Sequence, residues 1–184
     1  MQITTELRSF RKLIQVCKGE KMNPDIERIS KLKPYSKRYI KHHEEEIRQD
    51  IVRIAKKYLG ARYHINGMLP YRASDCHTLL IMVFAEARLI KLFQPEFYRP
   101  DFSFHTCKET YLQGIQKFGT ETRKKRPGDI ILYRYAKLID HAGIVIDEDG
   151  TMIDNCITRG CTLQDYNQEV NKNREVATYS FWQE

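Results

Sequence analysis

Apolar residues recur at helical spacing in three stretches of the chain. Ile3, Leu7, Phe10, Ile14 and Cys17 predict an amphipathic helix over about 3–18, ending near Gly19. Ile47, Ile51, Ile54, Ala55 and Tyr58 predict a second over about 45–59, with Gly60 as its stop. Leu79, Leu80, Val83, Phe84, Ala87 and Ile90 predict a third over about 76–92, packed in the core and capped by Asp75 or Ser74. Residues 20–44 are basic and broken by Pro24 and Pro34, which reads as a linker or an extension wrapped on the main body. Residues 60–75 read as a long loop, 93–105 as irregular chain and about 107–118 as a short helix.

The pattern then changes to strands. Ile130–Tyr135 is apolar and aromatic, and His141–Ile146 and Thr151–Ile157 flank the turn Asp147-Glu148-Asp149-Gly150 as a hairpin. Glu175–Trp182 alternates enough to be a closing strand. Helices first and a meandering antiparallel sheet second predict an α+β domain over 45–184, with 1–44 as a basic helical extension.

Composition narrows the class. At 184 residues, 41% hydrophobic and 30% charged, the chain suits one globular core. No run of 18 apolar residues exists, which excludes a spanning helix. The first residues lack the basic and apolar pattern of a secretory signal. The expected location is therefore cytoplasmic, or outside the cell after delivery by a phage tail, a secretion system or lysis. The net charge of +7 belongs wholly to residues 1–41, which hold 11 Lys and Arg against 4 Asp and Glu. An acidic partner or an anionic polymer fits that segment, as does an ordinary solvated helical face; nucleic acid has no motif behind it. Five cysteines without a secretion signal argue against a disulfide framework, and their spacing argues against zinc.

One cysteine and one histidine carry chemistry. Cys76 is expected in the first turn of a buried helix, where unpaired amides and the helix dipole favour thiolate and can hold an oxyanion. His141 begins a strand. If the hairpin turns at 147–150, His141 and Asp154 share a face, diagonal across the ladder, and the carboxylate can hold the imidazole N–H. Cys76, His141 and Asp154 thus make a nucleophile, a base and an orienting group. A register slip of one residue would exchange Asp154 for Asn155. Cys156 shares the face of Asp154 as packing. His77 is a rival base only by adjacency, since helical neighbours point about 100° apart.

Together these segments resemble the NlpC/P60 family of papain-like cysteine peptidases. Leu59-Gly60-Ala61-Arg62-Tyr63-His64-Ile65-Asn66-Gly67 is similar to the family's "GxPYxxGG" loop, and Asp75-Cys76-His77-Thr78-Leu79-Leu80 to its "DCSGLV" nucleophile motif. Pro127-Gly128-Asp129-Ile130-Ile131-Leu132 resembles "PGDLVFF", and His141-Ala142-Gly143-Ile144-Val145-Ile146 resembles "HVGIYIG". Met152-Ile153-Asp154 lies where the family places its third polar residue. The resemblance covers about 45–182.

The resemblance implies a papain-like fold and no cofactor. It implies that Cys76 attacks a peptide carbonyl, His141 is the base and Asp154 orients it. Tyr63 matches a tyrosine lining the substrate cleft, and Asp75 an acidic residue associated with the substrate's free amine. The implied substrate is a peptidoglycan stem peptide, cut at the γ-D-Glu to diamino-acid bond. His77-Thr78 replaces the family's Ser-Gly, which places His77 in the substrate pocket. Two other expectations stay open: a thiol acyltransferase, amidase or deamidase acting on protein, and an inactive scaffold that binds through its basic arm.

Overall fold

The polar groups of Arg48 show how the fold is tied together, although Arg48 lies on the predicted apolar face of a helix. In the computed structural model, which describes residues 22–99 and 109–183, helix α3 (Glu44–Lys56) buries Ile47, Arg48, Ile51, Ile54 and Ala55. The Arg48 guanidinium donates to Pro127 O at 2.7 Å, to Asp129 at 2.8 Å and to Ser180 Oγ at 3.0 Å, and lies over the Trp182 ring. A buried cation survives because each of its faces is paired. The turn it holds includes Gly128 at φ +88°, where a Cβ would come within 2.9 Å of Ile51. Only glycine combines that backbone with that approach.

The expected helix over about 3–18 lies outside the described residues. Within the basic segment, two short helices form, α1 (Pro24–Ser30) and α2 (Lys37–His42). They pack on the body rather than trailing from it. Ile29 is fully buried, Arg28 pairs with Glu86 at 3.2 Å, and the Trp182 indole donates to Ile40 O at 2.9 Å.

The loop expected over 60–75 carries a small sheet of β1 (Arg62–Tyr63), β2 (Met68–Leu69) and β3 (Ala73–Ser74), in order β1-β3-β2. Helix α4 (Cys76–Glu86) follows at once. It is buried on nearly every side from Thr78 to Ala85, so its sequence is a core run more than a stripe. It stops short of the expected residue 92. Arg88 sits at φ +60°, and the amides of Leu89 and Ile90 both bond back to Phe84 O. Arg88 is held there from outside, by Lys33 O at 2.9 Å and the Tyr35 ring. No glycine announced that stop.

Helix α5 (Thr110–Gln116) and strand β4 (Thr120–Thr122) lead to β5 (Ile130–Arg134), β6 (Ile139–Val145), β7 (Thr151–Cys156) and β8 (Gly160–Asp165), then helix α6 (Glu169–Lys172) and β9 (Glu175–Ser180). The six strands form one antiparallel sheet in the order β4-β9-β5-β6-β7-β8. The fold is therefore α+β. The closing strand lies inside the sheet, between β4 and β5, and β4 and β8 are edges that hydrophobic pattern did not announce. Along β5, Ile130 and Leu132 join the helix-covered core while Ile131 and Tyr133 join Val145, Met152 and Tyr166 on the other face. Among the described residues no helix is long and apolar enough to cross a membrane.

Candidate active site

Asp75 caps α4. Its Oδ1 accepts from the Thr78 amide at 2.8 Å, while Thr78 Oγ1 accepts from the Asp75 amide at 3.0 Å, a reciprocal capping box. Such a cap is worth about 1 kcal/mol. It also fixes the direction of the first turn, where Cys76 is the first helical residue and is partly exposed. The cap engages Thr78, so the amides of Cys76 and His77 lie ahead of it at the open end of the helix.

Strand β6 supplies the second group. Tyr133 pairs with His141 but Arg134 pairs with Ile139, so Asp140 is an extra residue in β6. A bulge of this kind re-aims its neighbours. The Asp140 carbonyl lies 3.8 Å from the Cys76 sulfur, and its carboxylate accepts from the Tyr135 amide at 3.0 Å. His141 follows directly and is buried.

The hairpin pairs Ile144 with Ile153 and Val145 with Met152. That register sets His141 and Asp154 on one face, two residues apart along the ladder. His141 Nε2 and Asp154 Oδ2 are 2.8 Å apart. The charge of the Cys76 sulfur also acts on the ring, from a sulfur that lies beside the carbonyl of the preceding residue, Asp140. With Nε2 on the carboxylate, Nδ1 is the nitrogen left to face the sulfur. Burial by itself pushes the imidazole down; the Cys76 sulfur and the Asp154 carboxylate outweigh it and hold the pKa well above the ordinary histidine range. Tyr135 covers the ring edge-on at 5.2 Å. Arg159 reaches Asp154 at 3.5 Å from a half-exposed position, a contact of minor worth.

Asn155 points to the opposite face. Its side-chain amide donates to Ser74 O and to Ser74 Oγ, both at 2.8 Å, and both residues are fully buried. The strand carrying Asp154 is thereby braced to the residue two before Cys76. Cys156, on the side of Asp154, is half-buried and lies 3.3 Å from Thr158 Oγ1.

The remaining sequence candidates form the other wall. Tyr63, Asp75, Cys76, His77, Tyr98 and Tyr111 line one cavity. Burial and the neighbouring Cys76 and Asp75 push the Tyr63 phenol up to about 12. Asp75 is in the wall, but its carboxylate is already engaged. Oδ2 accepts from the Asn66 amide and from the Tyr98 hydroxyl, each at 2.6 Å, and the residue is 1% exposed. Asn66 also grips the Tyr98 backbone at both its carbonyl and its amide. His77 lies against the rings of Tyr111 at 4.5 Å and Tyr98 at 5.6 Å. Burial holds its pKa below the ordinary value, against a smaller upward pull from Asp75. Tyr98 and Tyr111 were not among the sequence candidates. They come from an irregular stretch and a short helix, where local pattern carries no sign of proximity to Cys76.

The model of the NlpC/P60 family matches residues 60–179. A search of curated proteins found no match. Among solved structures, the fold is similar to an NlpC/P60 family protein from Bacillus cereus, with TM-score 0.53 and 16% identity over 73% of this chain and 40% of that one. It is similar to NlpC2 from Trichomonas vaginalis, with TM-score 0.55 and 17% identity over 75% and 47%. A third is a Staphylococcus aureus protein described as similar to lipoprotein, NLP/P60 family, with TM-score 0.54 and 17% identity over 84% and 45%. The chain thus spans less than half the length of each of these structures.

Proposed function

Because the chain belongs to the NlpC/P60 family, we propose that it is a cysteine peptidase acting on peptidoglycan stem peptides, at the bond between γ-D-Glu and the diamino acid. One observation carries the reading: His141 pairs with Asp154 at 2.8 Å through Nε2, directly after the Asp140 carbonyl that lies 3.8 Å from the Cys76 sulfur at the first turn of α4. Members of this family are generally cysteine peptidases and hydrolases, and in this reading Cys76, His141 and Asp154 take the nucleophile, base and orienting roles.

In this reading His141 takes the Cys76 proton and the sulfur attacks the peptide carbonyl carbon. The carbonyl oxygen becomes an oxyanion facing the amides of the first turn of α4. Collapse breaks the C–N bond, and His141 returns the proton to the departing amine. A water then attacks the thioester, with His141 as base, and releases the carboxylate and the free thiol. Asp154 keeps the ring in the tautomer that presents Nδ1 and favours imidazolium once it forms. Tyr63 and His77 shape the pocket. Asp75 binds a substrate amine only when that amine displaces the Tyr98 hydroxyl.

The test is incubation of purified muropeptides with the protein and with Cys76→Ala, followed by mass spectrometry. Products that differ by one water across the γ-D-Glu bond, formed by the wild type alone, are expected. Intact muropeptides in the presence of an alkylatable Cys76 would overturn the peptidase reading in favour of acyl transfer or deamidation.

A further inference from the structure

Tyr111 is buried to 4% exposure on α5, and its hydroxyl meets no partner at full hydrogen-bonding geometry. An unpaired buried hydroxyl costs about 1–3 kcal/mol, and phenylalanine would fill the same volume without that cost. Cys76 lines the same cavity and is the charge that bears most on this phenol. The Tyr111 ring lies against His77, the neighbour of Cys76. The hydroxyl is thus a buried, unpartnered donor in the cavity that also holds Cys76.

We propose that Tyr111 is a further catalytic residue, whose hydroxyl donates to the Cys76 sulfur in its ionised form and releases that bond as the sulfur attacks. The proposal deepens the peptidase reading and rests on Cys76 being the nucleophile. The phenol keeps its proton throughout, since burial and the nearby Cys76 raise its pKa well above the ordinary value. No proton is transferred; one hydrogen bond is lost as the thioester forms. The charged and titratable groups around this pair are Tyr63 from β1, Asp75 and His77 from α4, Tyr98 from the segment that follows α4, and His141 from the sheet, itself paired with Asp154.

The experiment is alkylation of the full chain by iodoacetamide, with the modified cysteine identified by mass, for wild type, Tyr111→Phe and Tyr58→Phe. Tyr58 is the control, because its hydroxyl is also buried and unpartnered but lies in the Glu86 cluster away from Cys76. A hydrogen bond to an ionised sulfur predicts that Tyr111→Phe slows Cys76 alkylation about tenfold at about pH 6 and does not slow it at about pH 9. Its Tm is expected to stay at or above that of the wild type, and Tyr58→Phe is expected to leave alkylation unchanged. Unchanged alkylation in Tyr111→Phe, with or without a lower Tm, or equal slowing at both pH values, would overturn the proposal. A wild-type Cys76 that reacts no faster than Cys161 would instead overturn the nucleophile itself, so the two failures are separable.

Discussion

The site has a sheet side and an aromatic side, and they hold their polar groups by different means. On the sheet side, His141, Asp154 and Asn155 sit in paired strands, and the ladder register sets which of them meet. On the aromatic side, His77, Tyr98 and Tyr111 are gathered from a helix start, an irregular segment and a short helix. Each side has a histidine, His141 buried and His77 half-buried, and they respond oppositely. His141 is held high by a sulfur and a carboxylate that outweigh its burial, and His77 is held low by burial among rings. Burial alone does not decide the protonation of a histidine; the partner inside the burial does.

The largest test of the sheet side is its target. Cys76→Ala is expected to reduce muropeptide turnover by at least about 10³-fold, with Tm little changed. Residual turnover near wild type would move the chemistry away from this cleft. Next, Asp154→Asn keeps the shape but removes the charge that holds His141 high. Turnover should fall by about 10²-fold, and the basic limb of any remaining pH profile should move to lower pH. A basic limb that stays in place would show that Asp154 does not govern the ring.

Asn155→Ala tests the brace between Asn155 and Ser74. Loss of two buried hydrogen bonds to Ser74 predicts destabilisation of about 1–3 kcal/mol in urea unfolding. It also predicts a kcat reduction of about tenfold, because Cys76 and His141 lose their common anchor. Loss of stability with an intact kcat would make Asn155 structural only.

The smallest effect distinguishes the two histidines by pH. His77 is lowered in the fold, so its contribution to stability is complete above the unfolded value of about 6.5 and is lost as pH falls through the folded value. Thermal unfolding of His77→Leu should therefore lose less stability than the wild type on acidification from about pH 7. His141 is raised, so its contribution is complete below about 6.5 and is lost as pH rises through the folded value. Asp154→Asn should flatten that alkaline decline. Identical pH dependence in wild type and both variants would show that neither ring is coupled to folding.

Much of the site's scaffold is readable from residue order. Asp75 before a core run signals a capped helix start, and the Asp147–Gly150 turn sets a hairpin whose parity puts residues 141 and 154 on one face. The readable parts are local, decided by spacing along one segment. Arg88 ends α4 without a glycine because Lys33 and Tyr35 hold it, and Asp75 is occupied because a tyrosine 23 residues later reaches back to it. Neither contact leaves a periodic trace, since each partner comes from a segment whose own pattern is irregular.

By itself, then, the amino-acid order determined the alternation that builds β6 and β7, the helix that starts at Cys76, and the family to which residues 60–179 belong. Tertiary structure alone decided that Asn155 braces Ser74, that Tyr98 covers Asp75, and that Tyr111 and Cys76 share a cavity. The physical reason is range. Helix and strand periodicity are set by backbone geometry within a few residues, whereas the partner of a buried polar atom is fixed only when distant segments close around it and exclude water.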